Sequence, residues 1–107
     1  MRQIFAHELS DWLADANRVR PVLLDVRENW EYEFCHLPDS LPIPMNAVPD
    51  RIGELDPHAE TVVVCHHGMR SQQVALYLEH SGFSAVHNLA GGIDAWSNAI
   101  DPSMRRY

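Results

Sequence analysis

Apolar and polar positions follow two rhythms along this chain, one helical and one strand-like, and the two take turns. Leu9, Trp12, Leu13 and Ala16 recur at helical spacing, so residues near 7–16 read as an amphipathic helix. Pro21 closes the linker after it, and Val22-Leu23-Leu24-Asp25-Val26 is then an almost unbroken apolar run, matched later by Thr61-Val62-Val63-Val64. Both runs are short and rich in β-branched residues, the pattern of strands buried on both faces of a parallel sheet. Between them the pattern predicts a short helix around 29–34, a proline-rich passage from Pro38 to Pro49 and a helix near 47–55. Leu41 and Ile43, set among prolines, allow at most an edge strand. Val74, Ala75 and Leu78, with a stop at Gly82, define a helix that starts near residue 70. A strand near 85–89 and a last helix over 92–100, ending before Pro102, complete the series. Strands alternating with helices predict an α/β layer fold.

Composition narrows this picture without changing it. The 107 residues suit a single domain spanning 1–107, with 100–107 as a tail. Such a chain buries roughly two thirds of the surface that its unfolded form exposes. Hydrophobic residues at 46% and charged residues at 21% fit neither a disordered, a fibrous nor a membrane chain. The net charge of −7 sets fifteen acids against eight arginines, with no lysine. Only Arg105 and Arg106 are adjacent, in an end that reads as disordered, so the chain offers no cationic cluster for a nucleic-acid backbone. No apolar run approaches the ~20 residues that span a bilayer, and Met1 to Glu8 lacks the apolar core of a secretory signal. The expectation is a cytoplasmic protein with neither a nucleic-acid nor a membrane partner, its oligomeric state left open. In a reducing compartment Cys35 and Cys65 read as a thiol site and a spectator, not as a bridge.

The candidate chemistry lies in Cys65-His66-His67-Gly68-Met69-Arg70-Ser71, between a buried strand and a helix. A loop leaving the carboxyl end of a parallel strand and entering a helix aims successive backbone N–H groups into one concavity, to which the helix dipole adds positive potential. A cysteine facing that nest is expected to act as a thiolate nucleophile. Arg70 would add a cation at the rim, Gly68 the backbone freedom a tight cradle needs, and Ser71 a cap or first residue for the helix. His66 and His67 are expected to contribute their backbone N–H groups while their side chains face solvent. A metal site built from Cys65 and these histidines has suitable ligand types, but adjacent residues on a tight loop diverge too far to chelate together. The Met69 side chain is expected at the pocket mouth, favouring apolar or thiol-bearing acceptors. Asp25 and Arg27, at the end of the first central strand, read as supports: Asp25 held by backbone N–H groups or by contact with Arg70. Trp12, Trp30 and Trp96 read as packing.

Four stretches in this order resemble the rhodanese-like sulfurtransferases: Leu24-Asp25-Val26-Arg27-Glu28, then Glu31 through His36-Leu37-Pro38, then Cys65 to Ser71, then Asn88-Leu89-Ala90-Gly91-Gly92-Ile93-Asp94-Ala95-Trp96. The resemblance implies a three-layer sandwich, a parallel five-stranded sheet flanked by helices. It also implies a thiosulfate sulfurtransferase-type enzyme in which Cys65 carries a persulfide. Sulfane sulfur would come from thiosulfate or a persulfide donor and pass to a thiol or protein acceptor, with no cofactor beyond that covalent sulfur. The ending from Ile100 to Tyr107 is similar to rhodanese domains fused to enzymes that activate ubiquitin-like sulfur carriers.

Loop length bears on the substrate. Cys65 and Arg70 enclose four residues, whereas phosphatases on this scaffold carry five, and the shorter ring suits a sulfur atom better than a phosphate group. Two other classes remain: a non-catalytic module that carries or senses sulfur on Cys65, and a phosphatase or arsenate reductase. Cys35 stands where the family has glycine, which would strain the backbone if that position needs positive φ, and Asp39-Ser40 replace a small pair. Cys35 as a resolving thiol is weighed below its reading as a chance cysteine.

Overall fold

The computed structural model describes residues 1–107. Five parallel strands form one sheet: β1 (Arg2–Ile4), β2 (Val22–Asp25), β3 (Leu41–Pro42), β4 (Thr61–Val64) and β5 (Val86–Leu89), in the order β1-β5-β4-β2-β3. The helices are α1 (Ala6–Ala14), α2 (Asn29–Phe34), α3 (Val48–Arg51), α4 (Met69–His80) and α5 (Gly92–Ala99). The expected α/β fold with its five-stranded parallel sheet is the fold observed.

The two apolar runs are neighbours near the middle of the sheet, β2 pairing β4 from Val22↔Thr61 to Asp25↔Val64. Their lack of hydrophobic alternation stems from burial on both faces. Val62 and Val64 pack with Leu9, Trp12, Ile93 and Trp96 of α1 and α5, while Val63 and Cys65 pack with Val74, Ala75 and Leu78 of α4. Val62, Val63 and Val64 are fully buried, each worth about 1.5–3 kcal/mol of transfer free energy. The period of two that orients these valines also directs Cys65, one residue past β4, toward the α4 side.

Helix α4 stops as its sequence predicts. Gly82, at φ +97°, donates to Glu79 O at 3.1 Å and Phe83 N–H reaches Leu78 O at 3.1 Å, closing a Schellman motif whose Phe83 and Leu78 share one core.

Several expectations need correction. The helix near 47–55 is broken into a 3₁₀ turn at Met45–Ala47, the four-residue α3 and another 3₁₀ turn at Ile52–Glu54, because Pro49 fits only a first helical turn and Gly53 weakens any helical continuation. Strand β1 was not expected from the sequence pattern. Three residues with one inward apolar side chain, Ile4, carry too little pattern. Cys35 is extended at φ −162° and carries no strain; the one left-handed residue that is not a glycine is Asp39, at φ +61°, a residue type that tolerates it. The tail is docked. The amides of Ile100 and Asp101 donate to Trp96 O, Met104 packs on the α1/α5 core, and Arg106 pairs with Asp94 at 3.0 Å.

Candidate active site

Cys65 comes directly after the last residue of β4 and lies at the floor of an open pocket of roughly 210 Å³ lined by Cys65, His66, His67, Met69 and Arg70. Two donors hold its sulfur: the Gly68 N–H at 3.0 Å and the Ser71 hydroxyl at 3.2 Å. Gly68 is the N-cap of α4 at φ +103°, so the chain reverses there and brings its own amide onto the sulfur three residues back. The amides of His66, His67, Met69 and Arg70 donate to no acceptor within the protein, which leaves the loop rich in unspent donors. A helix N-terminus with free amides attracts anions.

The loop is clamped from the far side by the start of α5. Ile93 N–H donates to Cys65 O at 2.9 Å and Asp94 N–H to His66 O at 3.0 Å. Gly92 lies so close that a Cβ there would stand 2.3 Å from Cys65 O and 2.5 Å from His66 O. The absence of a side chain at Gly92 is therefore what admits the loop backbone.

Ser71 is neither cap nor first residue. It is the third residue of α4, fully buried, with its hydroxyl between Cys65 Sγ and Asn88 Oδ1. Asn88 is oriented by its own donor group, which reaches Gly68 O at 3.1 Å and Gln3 Oε1 at 2.9 Å. One hydroxyl proton thus faces two acceptors, and a negatively charged sulfur is the stronger competitor.

Arg70 is not an unpartnered rim cation, and its partner is not Asp25. Its Nη1 and Nη2 donate to Glu31 Oε1 and Oε2 at 2.7 and 2.9 Å, a bidentate pair. Glu31 is saturated: Oε1 also accepts from Glu28 N–H at 2.9 Å, and Oε2 from the Tyr107 hydroxyl at 2.8 Å. Arg70 first, with Glu28 and Tyr107 assisting against burial, holds the Glu31 carboxyl down at about 2. The salt bridge cancels the side-chain charge at the rim, so attraction for an anion rests chiefly on backbone N–H groups.

Asp25 instead binds Arg27, which is completely buried. Asp25 Oδ1 accepts from Arg27 N–H at 3.1 Å and from Nε at 3.0 Å, and Oδ2 accepts from Nη2 at 2.7 Å. Of the two holds the sequence allows for Asp25, backbone N–H groups or a contact with Arg70, the structure shows a single backbone amide, that of Arg27. Arg27 also donates to Cys35 O at 2.6 Å and to the Tyr107 hydroxyl at 2.9 Å. Burial opposes the charge on Arg27, but Asp25 overrides it and raises the guanidinium further above its ordinary value.

His67 is exposed as expected, whereas His66 is half-buried between the rings of His67 and Tyr107, each 4.0 Å away. Burial, then the neighbouring His67, pushes the His66 imidazole below its usual value and keeps it neutral near pH 7. Met69 is 78% exposed at the mouth. The structure assembles no group of three His, Cys, Asp or Glu side chains that could hold a metal, and no helix is long and apolar enough to cross a membrane.

The site therefore gathers Cys65, His66, His67, Gly68, Met69, Arg70 and Ser71, with Asp25 and Arg27 behind them. Glu31, Asn88, Gly92 and Tyr107 join them without having been singled out. The first three lie inside the motif stretches; Tyr107 lies in the tail, whose resemblance points to no particular residue.

A parallel α/β sandwich with a thiol seated between its central strand and the next helix defines the class of protein. The family model for the rhodanese-like domain matches residues 5–99, and the chain belongs to that family. It is 37% identical over 97 residues to a sulfurtransferase of Allochromatium vinosum, covering 91% of this chain and 89% of that one. It is 43% identical over 75 residues to the thiosulfate sulfurtransferase GlpE of Pseudomonas syringae pv. syringae, covering 70% and 71%. The chain spans only 30% of a longer relative, the rhodanese-like/PpiC domain-containing protein 12 of Arabidopsis thaliana, at 42% identity over 89 residues. Among solved structures, SSP1007 of Staphylococcus saprophyticus superposes with a TM-score of 0.84 at 31% identity, covering 99% of this chain and 100% of that one.

Proposed function

We propose that this domain is a sulfurtransferase that carries sulfane sulfur on Cys65, taking it from thiosulfate or a persulfide and giving it to a thiol or another thiophilic acceptor. The observation that carries the reading is the seat of Cys65 Sγ, at the pocket floor with the Gly68 amide and the Ser71 hydroxyl both directed at it. Relatives named sulfurtransferase and thiosulfate sulfurtransferase support the same chemistry.

In the first half-reaction the Cys65 thiolate attacks the outer sulfur of thiosulfate. The S–S bond of thiosulfate breaks, sulfite leaves with the bonding pair, and Cys65 becomes a persulfide. In the second, an acceptor thiolate or cyanide attacks that outer sulfur, the persulfide S–S bond breaks, and Cys65 recovers the pair as thiolate. No cofactor enters either step. The same two donors favour negative charge on Cys65 Sγ before and after transfer, and the remaining loop amides are available to the terminal persulfide sulfur. The four-residue spacing between Cys65 and Arg70 favours sulfur over phosphate. With its two cysteines unpaired, the domain suits a reducing, cytoplasmic setting.

The test is turnover of thiosulfate with cyanide by wild type and Cys65→Ser, with an aryl phosphate as a second substrate. Sulfur transfer should vanish in the variant, and aryl phosphate hydrolysis should remain at background in both. Substantial transfer by Cys65→Ser, or efficient phosphate hydrolysis by wild type, overturns the reading.

A further inference from the structure

We propose that Tyr107 is a positioning residue for the sulfur-donor step: its hydroxyl couples the buried Asp25–Arg27 pair to the Glu31–Arg70 pair and so sets where the Arg70 guanidinium stands at the pocket rim. The donor's identity rests on the sulfurtransferase reading; the coupling itself rests on geometry alone.

The hydroxyl lies 2.9 Å from Arg27 Nη1 and 2.8 Å from Glu31 Oε2. A guanidinium only donates, so the oxygen accepts from Arg27 and its single proton goes to Glu31. Burial lifts the phenol to about 12 while Glu31 lies at about 2, so the proton stays on Tyr107 and the order of the chain is fixed. The chain starts from Arg27, fully buried and held by Asp25 and Cys35 O. It ends at Arg70, whose side chain is 35% exposed and whose only fixed partner is Glu31.

The phenol ring is held independently. It stacks on His66 at 4.0 Å and meets Trp30 and Phe34 edge-on at 5.5 and 5.7 Å. The preceding residues are anchored too, Arg106 on Asp94 and Asn98 at 3.0 and 2.6 Å, and Arg105 4.1 Å over the Phe34 ring. A residue far along the chain thus backs the pocket from behind two of its lining residues, touching His66 directly and Arg70 through Glu31. A long arginine tethered through a fixed carboxylate meets an anion in one orientation; freed, it spreads over several rotamers and loses part of that contact.

The experiment separates hydroxyl from ring with Tyr107→Phe and Tyr107→Ala. One measurement is kcat and KM for thiosulfate in sulfur transfer to cyanide. The other is protection of Cys65 against neutral iodoacetamide by sulfate, which needs no turnover. For Tyr107→Phe, the KM for thiosulfate should rise and sulfate protection weaken by about fivefold, the scale of one hydrogen bond, while kcat and the unprotected alkylation rate stay near wild type. Tyr107→Ala should show losses at least as large. A merely structural role would lower kcat and alkylation as well as raising KM. A Tyr107→Phe protein with wild-type KM and wild-type protection overturns the proposal, as does a wild type that sulfate fails to protect. If sulfate protects wild type but thiosulfate delivers no sulfur, the sulfurtransferase reading falls and the protection measurement still decides the role of Tyr107.

Discussion

The floor of the pocket and its wall are built on opposite principles. At the floor, Cys65 Sγ is held by groups three and six residues further along, so the turn from β4 into α4 is nearly sufficient to make it. At the wall, Arg70 is held by Glu31, 39 positions away, and Glu31 by Tyr107, 76 positions beyond it. The floor offers neutral donors and the wall a chain of alternating charges. The Gly68 amide in its tight loop cannot be lost without refolding it, leaving only the Ser71 hydroxyl open to substitution at the floor, whereas the wall is held together by side chains that one substitution removes. In this account the floor carries the chemistry and the wall tunes which anion approaches.

Short of removing Cys65 itself, the largest effect should come from breaking the floor without touching a side chain that faces it. Gly92→Ala puts a methyl group 2.3 Å from Cys65 O, and the loop must move. Overpacking of this kind costs about 1–3 kcal/mol. A shift near 1 Å at the sulfur should cost roughly a hundredfold in sulfur transfer. Thermal unfolding and the cyanide assay together measure both.

Breaking the wall should act on stability, and through pH. The Glu31 carboxyl lies at about 2 against an ordinary 4.5. A depressed carboxylate contributes stability that is fully present above about pH 4.5 and is lost as pH falls through about 2. Glu31→Gln should lower stability at neutral pH by about 1–3 kcal/mol, since Arg70 and the Tyr107 hydroxyl lose a charged acceptor. Its stability should then vary less with pH between those limits than that of wild type. Denaturant titrations along an acid series would show the two curves converging; parallel curves would mean that Glu31 does not carry the acid response.

Ser71→Ala weakens the floor through its one side-chain donor. It removes one of two donors to Cys65 Sγ, leaves Asn88 Oδ1 without its hydroxyl partner, and should slow transfer by about tenfold. Cys35→Ser should have the smallest effect, within about twofold on activity, because its sulfur bonds only to Arg27, at 3.9 Å, and a hydroxyl can accept from the same group. A collapse of activity with thiol acceptors in this variant would instead assign Cys35 a resolving role.

The contrast also explains what sequence could and could not reveal. The runs at 22–26 and 61–64 were legible as central strands because burial on both faces removes polar positions. The Cys65 loop was legible because its parts are contiguous. Asp25 and Arg27 lie two residues apart and were legible as supports, though the partner of Arg70 was not. Glu31 lay inside a motif stretch, yet nothing local says that an acid in α2 reaches the first turn of α4. Tyr107 belongs to a segment whose Arg105 and Arg106 read as a disordered end, and only the fold returns it to His66. Strand β1 fails differently, being three residues whose register comes from pairing with His87, Asn88 and Leu89.

The central claim is that Cys65 itself carries the transferred sulfur, and mass spectrometry of the protein after brief incubation with thiosulfate, digested without reductant, tests it most directly. One additional sulfur atom is expected on the peptide containing Cys65 and none on the peptide containing Cys35, with loss of that sulfur when cyanide is added. A Cys65 peptide that remains unmodified under conditions of active turnover, or sulfur found on Cys35 instead, would contradict it.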